Sequence, residues 1–332
     1  MDKYHLKDLY VDALIEDLKY SLNKYVNKNK NIETIFIGGG TPSTLKLEHY
    51  EKIFKVLKPY ITYTKEITIE SNPNSASKEW LRGLLKLGIN RVSFGVQSFR
   101  TDKLNHLGRN HTRNRAIKVI HEAHEVGFKH INLDIIYGCD LDNKENMLED
   151  INIIKTLPID HISAYSLTIE EDTKFYSTPN VKIDDEELSA EIFEELKKIG
   201  FKQYEISNFA KSKDSESKHN YGYWLYEEYI GAGSGAVGRI GNKRLYKEKS
   251  IEEYIKNPTI YSDTEELSDD DILVEKVLLG LRSSVGVDME LFTKDQKDKL
   301  SDLIKENKIK QINNKIYSND YLLADELALY LL

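Results

Sequence analysis

Residues 36–45 read FIGGGTPSTL: an apolar, strand-like run stops on three glycines and a Thr-Pro. Glycines there either turn the chain tightly or let backbone N–H groups approach a ligand closely. The dinucleotide spacing GxGxxG is absent, because 38–43 reads GGGTPS, and no Gly-Lys-Ser/Thr follows to make a Walker loop. Polar residues mark the ends of other apolar runs. Glu70 follows Ile67-Thr68-Ile69, Gln97 closes RVSFGVQ, and Asp134 sits inside NLDIIYG. A carboxylate in a buried strand is costly unless it is paired or hydrogen-bonded. Each is therefore a structural ion pair or a ligand group, and several at one mouth favour a ligand site. Arg109, in LGRNHT, is a cationic partner for a ligand carboxylate or a surface arginine. His219, Tyr223 and Trp224, in HNYGYW, set an imidazole beside aromatic rings, which suits a flat aromatic ligand or a packed lid. His121 and His124 lie three apart in HEAHE, the wrong spacing for an HExxH zinc site, and read as a solvated helix face. Cys139 is the single cysteine. It can form no internal disulfide and cannot hold an iron–sulfur cluster alone, so it reads as a small buried residue.

These residues need elements to position them. Short β-rich runs recur at 32–38, 66–71, 91–98, 130–138 and 161–169, read here as apolar on both faces, as buried parallel strands are. Helical stripes lie between them. Trp80, Leu81, Leu84 and Leu85 precede Gly88; Ala116, Val119, Ile120, Ala123 and Val126 precede Gly127; a third helix near 185–199 stops at Gly200. Alternating strands and helices indicate parallel βα units. Polar groups at nearly every strand end (Gly38–Thr41, Glu70 and Asn72, Gln97, Asp134, Ser163 to Thr168) favour an incomplete (β/α) barrel over an open sheet, whose ligands gather at one switch point. A stripe of Leu6, Leu9, Tyr10, Ala13, Leu14, Leu18 and Leu22 predicts an opening helix with no strand before it. The polar stretch 211–219 reads as a mobile loop. Beyond about 245, helices are expected at 251–256, 269–283 and 294–306, then a hairpin with an Asn-Asn turn: a small winged-helix-like domain. The domains expected are thus 1–245 and 246–332.

Composition bounds the function. The 332 residues carry 47 Lys and Arg against 55 Asp and Glu, a net charge of −8, which argues against a general nucleic-acid binder. No apolar run approaches the roughly 18 residues of a membrane span, and no signal peptide is read, so a cytoplasmic protein is expected, with no indicated membrane association.

Taken in order, GGGTPS, TIESNP, RVSFGVQSF, LGRNH, NLDIIYG, HISAYSLTIE, YEISNFAK and HNYGYW resemble radical S-adenosylmethionine (SAM) proteins of the oxygen-independent coproporphyrinogen III oxidase group, and most of all its haem chaperone branch. The resemblance spans about residues 5–285. It implies a partial (β/α)6 barrel binding SAM across its strand ends. Gly39, Gly40 and Thr41 would hold the methionine end through backbone groups. Glu70, Gln97, Arg109 and Asp134 match further cofactor positions, and Val237 matches an apolar contact. HNYGYW matches the chaperone signature, which makes His219 the candidate for haem contact, with Tyr223 and Trp224 beside it. The implied function is to bind haem and deliver it to an acceptor protein. The alternative is the oxidase, which decarboxylates two propionates through a radical; a scaffold with no redox role is a third reading.

One departure matters. The group carries CxxxCxxC after its first strand, where three thiolates bind a [4Fe–4S] cluster that cleaves SAM. This sequence lacks it. The expectation is a chain that starts late, without the first strand and the motif, unable to build the cluster or generate the radical from the residues present.

Overall fold

The computed structural model describes residues 6–26, 32–169, 175–176, 179–183 and 185–332, and groups the chain into two compact units. One comprises 35–47 and 66–216; the other takes 1–34, 48–65 and 217–332. The chain opens on α1 (Lys7–Tyr25), which belongs to the second.

The first unit is built on a seven-stranded sheet. Its strands are β1 (Thr34–Ile37), β2 (Glu66–Ser71), β3 (Arg91–Gln97), β4 (His130–Tyr137), β5 (His161–Ser166), β6 (Lys202–Gln203) and β7 (Asn208–Ala210). They lie in the order β1-β2-β3-β4-β5-β7-β6, with β2 to β5 parallel and β7 antiparallel to both neighbours. An order that follows the chain from β1 to β5 has no switch point; it is the order of a barrel wall. Between the strands run α2 (Leu47–Leu57), α3 (Lys78–Leu87), α4 (Thr101–His106), α5 (Arg113–Val126), α6 (Lys144–Ile154) and α7 (Glu186–Lys198); all of α2 but its first residue falls in the other unit. The helix ends follow from their residues. Ser77 and Thr112 cap α3 and α5 with side-chain oxygens, and left-handed Gly88 and Gly127 close them.

The strands correct the two-faced apolar reading. Each alternates. Ile67, Ile69, Val92, Phe94, Ile131, Leu133, Ile162 and Ala164 are buried on one face. The other face carries Thr68 and Glu70, and beyond them Ser93, Asn132, Asp134, His161 and Ser163, which are bonded to one another across the strands. A curled sheet encloses one face, where polar groups satisfy each other, while helices cover the apolar face. The floor holds a buried ion pair, Arg91 Nε to Glu66 Oε2 at 3.1 Å. Arg91 also donates to the carbonyl of Ser215. The stretch expected as a loop, 211–219, therefore contains a capped helical turn at Lys213–Ser215, with Ser215 buried, before α8 (Lys218–Trp224) begins.

The second unit holds α1, α8 and the rest of the chain. An antiparallel sheet unseen in the sequence reading, β8 (Val237–Ile240), β9 (Lys243–Lys247) and β10 (Tyr261–Glu266), is spanned by α9 (Ile251–Lys256). The expected domain boundary after 245 falls within β9. The C-terminal elements stand where the sequence placed them: α10 (Asp269–Leu281), β11 (Val287–Asp288), α11 (Lys294–Lys305), then β12 (Ile309–Ile312) and β13 (Lys315–Ser318) around a turn with Asn313 left-handed, and α12 (Ala324–Leu331). Val277, Leu281, Phe292, Leu300, Ile316 and Leu327 are among its core.

The predicted stripe of α1 is partly displaced. Leu9 is exposed, and the buried face is Val11, Ala13, Asp17, Ser21 and Leu22. Asp17 explains the shift. Its carboxylate pairs with Lys247 Nζ at 2.7 Å with neither side chain exposed, and accepts from Tyr254 OH at 2.8 Å and Gly233 N–H at 3.1 Å. Ser21 Oγ donates to it as well, at 3.1 Å, and an acid drawn inside by such partners is invisible to hydropathy.

Candidate functional site

The first unit gathers its polar strand ends at one mouth. Three glycines leave β1, and each has a different reason. A Cβ on Gly38 would meet the ring of exposed Phe36 at 2.5 Å, so a side chain there would have to push that ring aside. Gly39 has φ +83°, which glycine alone adopts readily. Gly40 has neither constraint: its φ is not left-handed, and nothing lies within 4 Å of a Cβ built on it. The fold does not demand glycine at 40, whereas an approaching ligand would. Gly39 donates its N–H to Glu70 Oε2 at 3.1 Å, joining the loop to β2. Thr41, at φ +72°, is one of few non-glycine residues held left-handed, a conformation that costs of order 1–3 kcal/mol and clusters at functional sites.

Gln97 is another, at φ +68°. The β3–β4 register slips between Gly95 and Gln97, a bulge that re-aims the strand's last side chain. The bare Cα of Gly95 makes room for that side chain: a Cβ there would lie 3.1 Å from Gln97 Nε2 and 4.0 Å from Asp134 Oδ2. Gln97 and Asp134 line a cleft of about 460 Å³ together with Ile136, Tyr165, Ser166, Leu167, Thr168 and Ser207.

Among the described residues, no cation pairs with the carboxyl groups here. Burial pushes Asp134 up to about 7, and the charge of Glu70 adds to the rise against hydrogen bonds from Ser93, Asn132 and Ser163. Burial also raises Glu70, opposed by the Gly39 N–H. Two desolvated carboxyl groups that repel one another form a site that a cationic ligand would stabilise.

Arg109 lies in the loop between α4 and α5, its N–H bonded to the Leu104 carbonyl. Its neighbour His111 is buried against the carbonyl of Val96, at 2.9 Å. This ties the Arg109 loop to the end of β3. Cys139 is fully buried beside Leu167 and Val181, its thiol pushed up to about 11 by burial. Close by, Lys103 Nζ and Asp142, both inaccessible, pair at 2.7 Å, and the Cys139 N–H donates to the same carboxylate at 3.1 Å. His121 and His124 are exposed on α5.

The second unit carries the remaining candidates. On α8, His219 Nδ1 is 2.9 Å from the Oγ1 of Thr34, the one residue of β1 that belongs to this unit, and Nε2 is 3.2 Å from Tyr223 OH. Tyr223 packs edge-on against His219 and Tyr229. Trp224 packs edge-on against Tyr221, whose OH lies 2.7 Å from Ser284 Oγ. Val237 opens β8. The glycine-rich run before it is a packing device: a Cβ on Gly231 would meet the Val237 carbonyl oxygen at 2.3 Å, and one on Gly233 the Tyr10 OH at 2.9 Å.

Comparison with known proteins fits this geometry. Residues 5–154 match the radical SAM superfamily model. The heme chaperone HemW of Bacillus subtilis (strain 168) is 35% identical over 308 residues, 88% of this chain and 81% of the relative. That of Lactococcus lactis is 32% identical over 94% of this chain and 84% of its own. The chain belongs to the HemW family of radical SAM proteins. The solved Escherichia coli coproporphyrinogen III oxidase HemN superposes with a TM-score of 0.81 over 99% of this chain and 84% of its own; at 19% identity it shows the shared fold alone.

The family implies SAM and a [4Fe–4S] cluster. The residues at the mouth fit SAM: a glycine edge open to a ligand, two carboxyl groups in want of a cation, and a bulged glutamine. They do not fit the cluster, which needs several thiolates, while these 332 residues supply one, protonated and buried. Sequence reasoning missed Asn132, His161, Tyr204 and Ser207. The signal for the first two was period-2 alternation in HINLDIIY and HISAYS.

Proposed function

We propose that this chain is a haem-binding protein that also binds SAM and passes haem to an acceptor protein, acting in the cytoplasm. The observation that carries the SAM part is Gly40, where a side chain would stand in open space and its absence leaves the backbone open to an approaching ligand. SAM brings a sulfonium cation and an aminocarboxylate end. The Gly39–Thr41 edge would take the aminocarboxylate through backbone groups. Glu70 and Asp134 would face positive charge, Gln97 would bond a polar edge, and Arg109 would offer a countercharge to a carboxylate. Val237 remains the expected apolar contact. The haem part is supported by the setting of His219. An imidazole that ligates iron through one nitrogen is normally held by a hydrogen bond at the other, and Thr34 stands at Nδ1. Tyr223 adds aromatic surface beside it; Trp224, paired with Tyr221, would bound the site from the same helix.

Haem titration followed at the Soret band tests the reading. His219→Ala is expected to weaken haem binding at least tenfold, and an unchanged affinity would remove His219 from the site. Calorimetry with SAM tests the mouth separately through Gly40→Ala.

A further inference from the structure

Below Asp134 lies a chain of hydrogen bonds that the cofactor reading does not use. Asn132 Nδ2 donates to Asp134 Oδ1 at 2.7 Å and lies 2.8 and 3.0 Å from the hydroxyls of Ser93 and Ser163. Its Oδ1 is 2.5 Å from His161 Nδ1, and His161 Nε2 is 2.6 Å from Tyr204 OH. Ser93, Asn132, His161, Ser163 and Tyr204 are all buried.

One oxygen of Asp134 accepts whether the group is ionised or carries its proton on Oδ2, and with Oδ1 as that oxygen the inventory of donors and acceptors orders the rest of the chain. The amide nitrogen of Asn132 then faces Asp134, which turns its carbonyl oxygen toward His161. His161 must then carry its proton on Nδ1, and Nε2, left with a lone pair, accepts from Tyr204. Burial, with the charges of Arg91 and His130, holds His161 well below its ordinary value, so one N–H is all it has. We propose that His161 is a positioning residue for Asp134: through its Nδ1–H it holds the Asn132 amide so that the nitrogen points at the carboxyl group that meets the ligand. The ligand part of this statement rests on the SAM reading; the positioning part does not. The reach is two strands deep, from β5 through β4, and it ends on a mouth carboxyl group that burial raises. The ionisable groups that bear on Asp134 are Glu70 from β2 and Tyr165 from β5; Arg91 and His130 bear on His161.

Two replacements of His161 separate positioning from mere filling of space. An asparagine puts an amide where Nδ1 stands and keeps the donor to Asn132. A glutamine puts it where Nε2 stands and keeps only the Tyr204 partner. Both lose stability, so stability is not the readout. The titration midpoint of Asp134 is read by difference infrared spectroscopy of the carboxyl stretch, referenced to Asp134→Asn, with SAM affinity by calorimetry. His161→Asn is expected to leave the midpoint in place and the affinity within about twofold. His161→Gln is expected to raise the midpoint and weaken SAM binding about tenfold, the loss of one charge-assisted hydrogen bond. Equal behaviour of the two variants overturns the proposal. Should neither fold, nitrogen-15 NMR of histidine-labelled wild-type chain decides: a proton on Nε2 of His161 overturns it, and one on Nδ1 sustains it. If Asp134→Asn leaves SAM affinity unchanged, the ligand reading fails, while the midpoint and the tautomer still judge the positioning.

Discussion

Asp134 should cost the fold stability in a way that depends on pH, and its replacement by asparagine should recover it. The side chain titrates near 7 in the folded chain against 3.8 for an ordinary aspartate, mainly because burial penalises its charge. A native value raised above the unfolded one means that the contribution is most favourable below 3.8, where both states are protonated. It is lost as pH rises toward 7, because the unfolded chain releases the proton and the native chain holds it. Each tenfold step is about 1.4 kcal/mol, so the penalty is about 2 kcal/mol at pH 5 and about 4 kcal/mol at pH 8. Water reaching the cleft trims both figures. Asp134→Asn keeps an oxygen that can accept from Ser93 and Asn132 and carries no charge. Its gain in urea unfolding should therefore exceed at pH 8 what it is at pH 5 by at least about 1 kcal/mol. A gain equal at the two pH values, or a loss at pH 8, would refute the claim that the native carboxyl holds its proton. The same proton predicts that a cationic ligand binds more tightly at pH 8 than at pH 6 and releases a proton on binding below pH 7.

Other outcomes follow from single contacts. Asp17→Ala strands Lys247 in a site where neither side chain is exposed, and urea melts should show a loss of about 3–5 kcal/mol; a loss under 1 kcal/mol would mean the pair is open to water. Gly231→Ala drives a Cβ to 2.3 Å from a backbone oxygen and should destabilise the chain strongly, whereas Gly40→Ala should leave the thermal midpoint unmoved and weaken SAM binding about tenfold. Equal melting losses in the two variants would end the argument that Gly40 serves a ligand. Tyr223→Phe removes the hydroxyl 3.2 Å from His219 Nε2. Haem titration should then show tighter binding, since haem would no longer displace that contact, and weaker binding would make Tyr223 a supporting group.

Why the sequence disclosed some of this and hid the rest comes down to how far each signal reaches along the chain. Gly88 and Gly127 announced helix ends because a left-handed C-terminal residue is a local need. The Asn313–Asn314 turn was legible for the same reason, and so were the helices on either side of it. The polar strand ends pointed to a mouth because five separate runs agreed on one end. Their alternation went unread, since Thr68, Ser93 and Ser163 look compatible with an apolar run until the curl of the sheet gives one face a common interior. Asp17 was beyond any local reading: its partners Lys247 and Tyr254 lie 230 and 237 positions away, and an acid among leucines on a helix reads as its solvent face. His161 was hidden in the same manner, because its value lies in which nitrogen carries the proton, and that follows from Asn132 one strand over. The residues that could touch a ligand were thus the easier to find, standing at strand ends and other chain punctuation. Those that hold them in place are buried, and only the paired strands bring them together. Substitutions at His161 and Asn132 are accordingly where the sequence reading, which passed over both, and the structure disagree most about consequence.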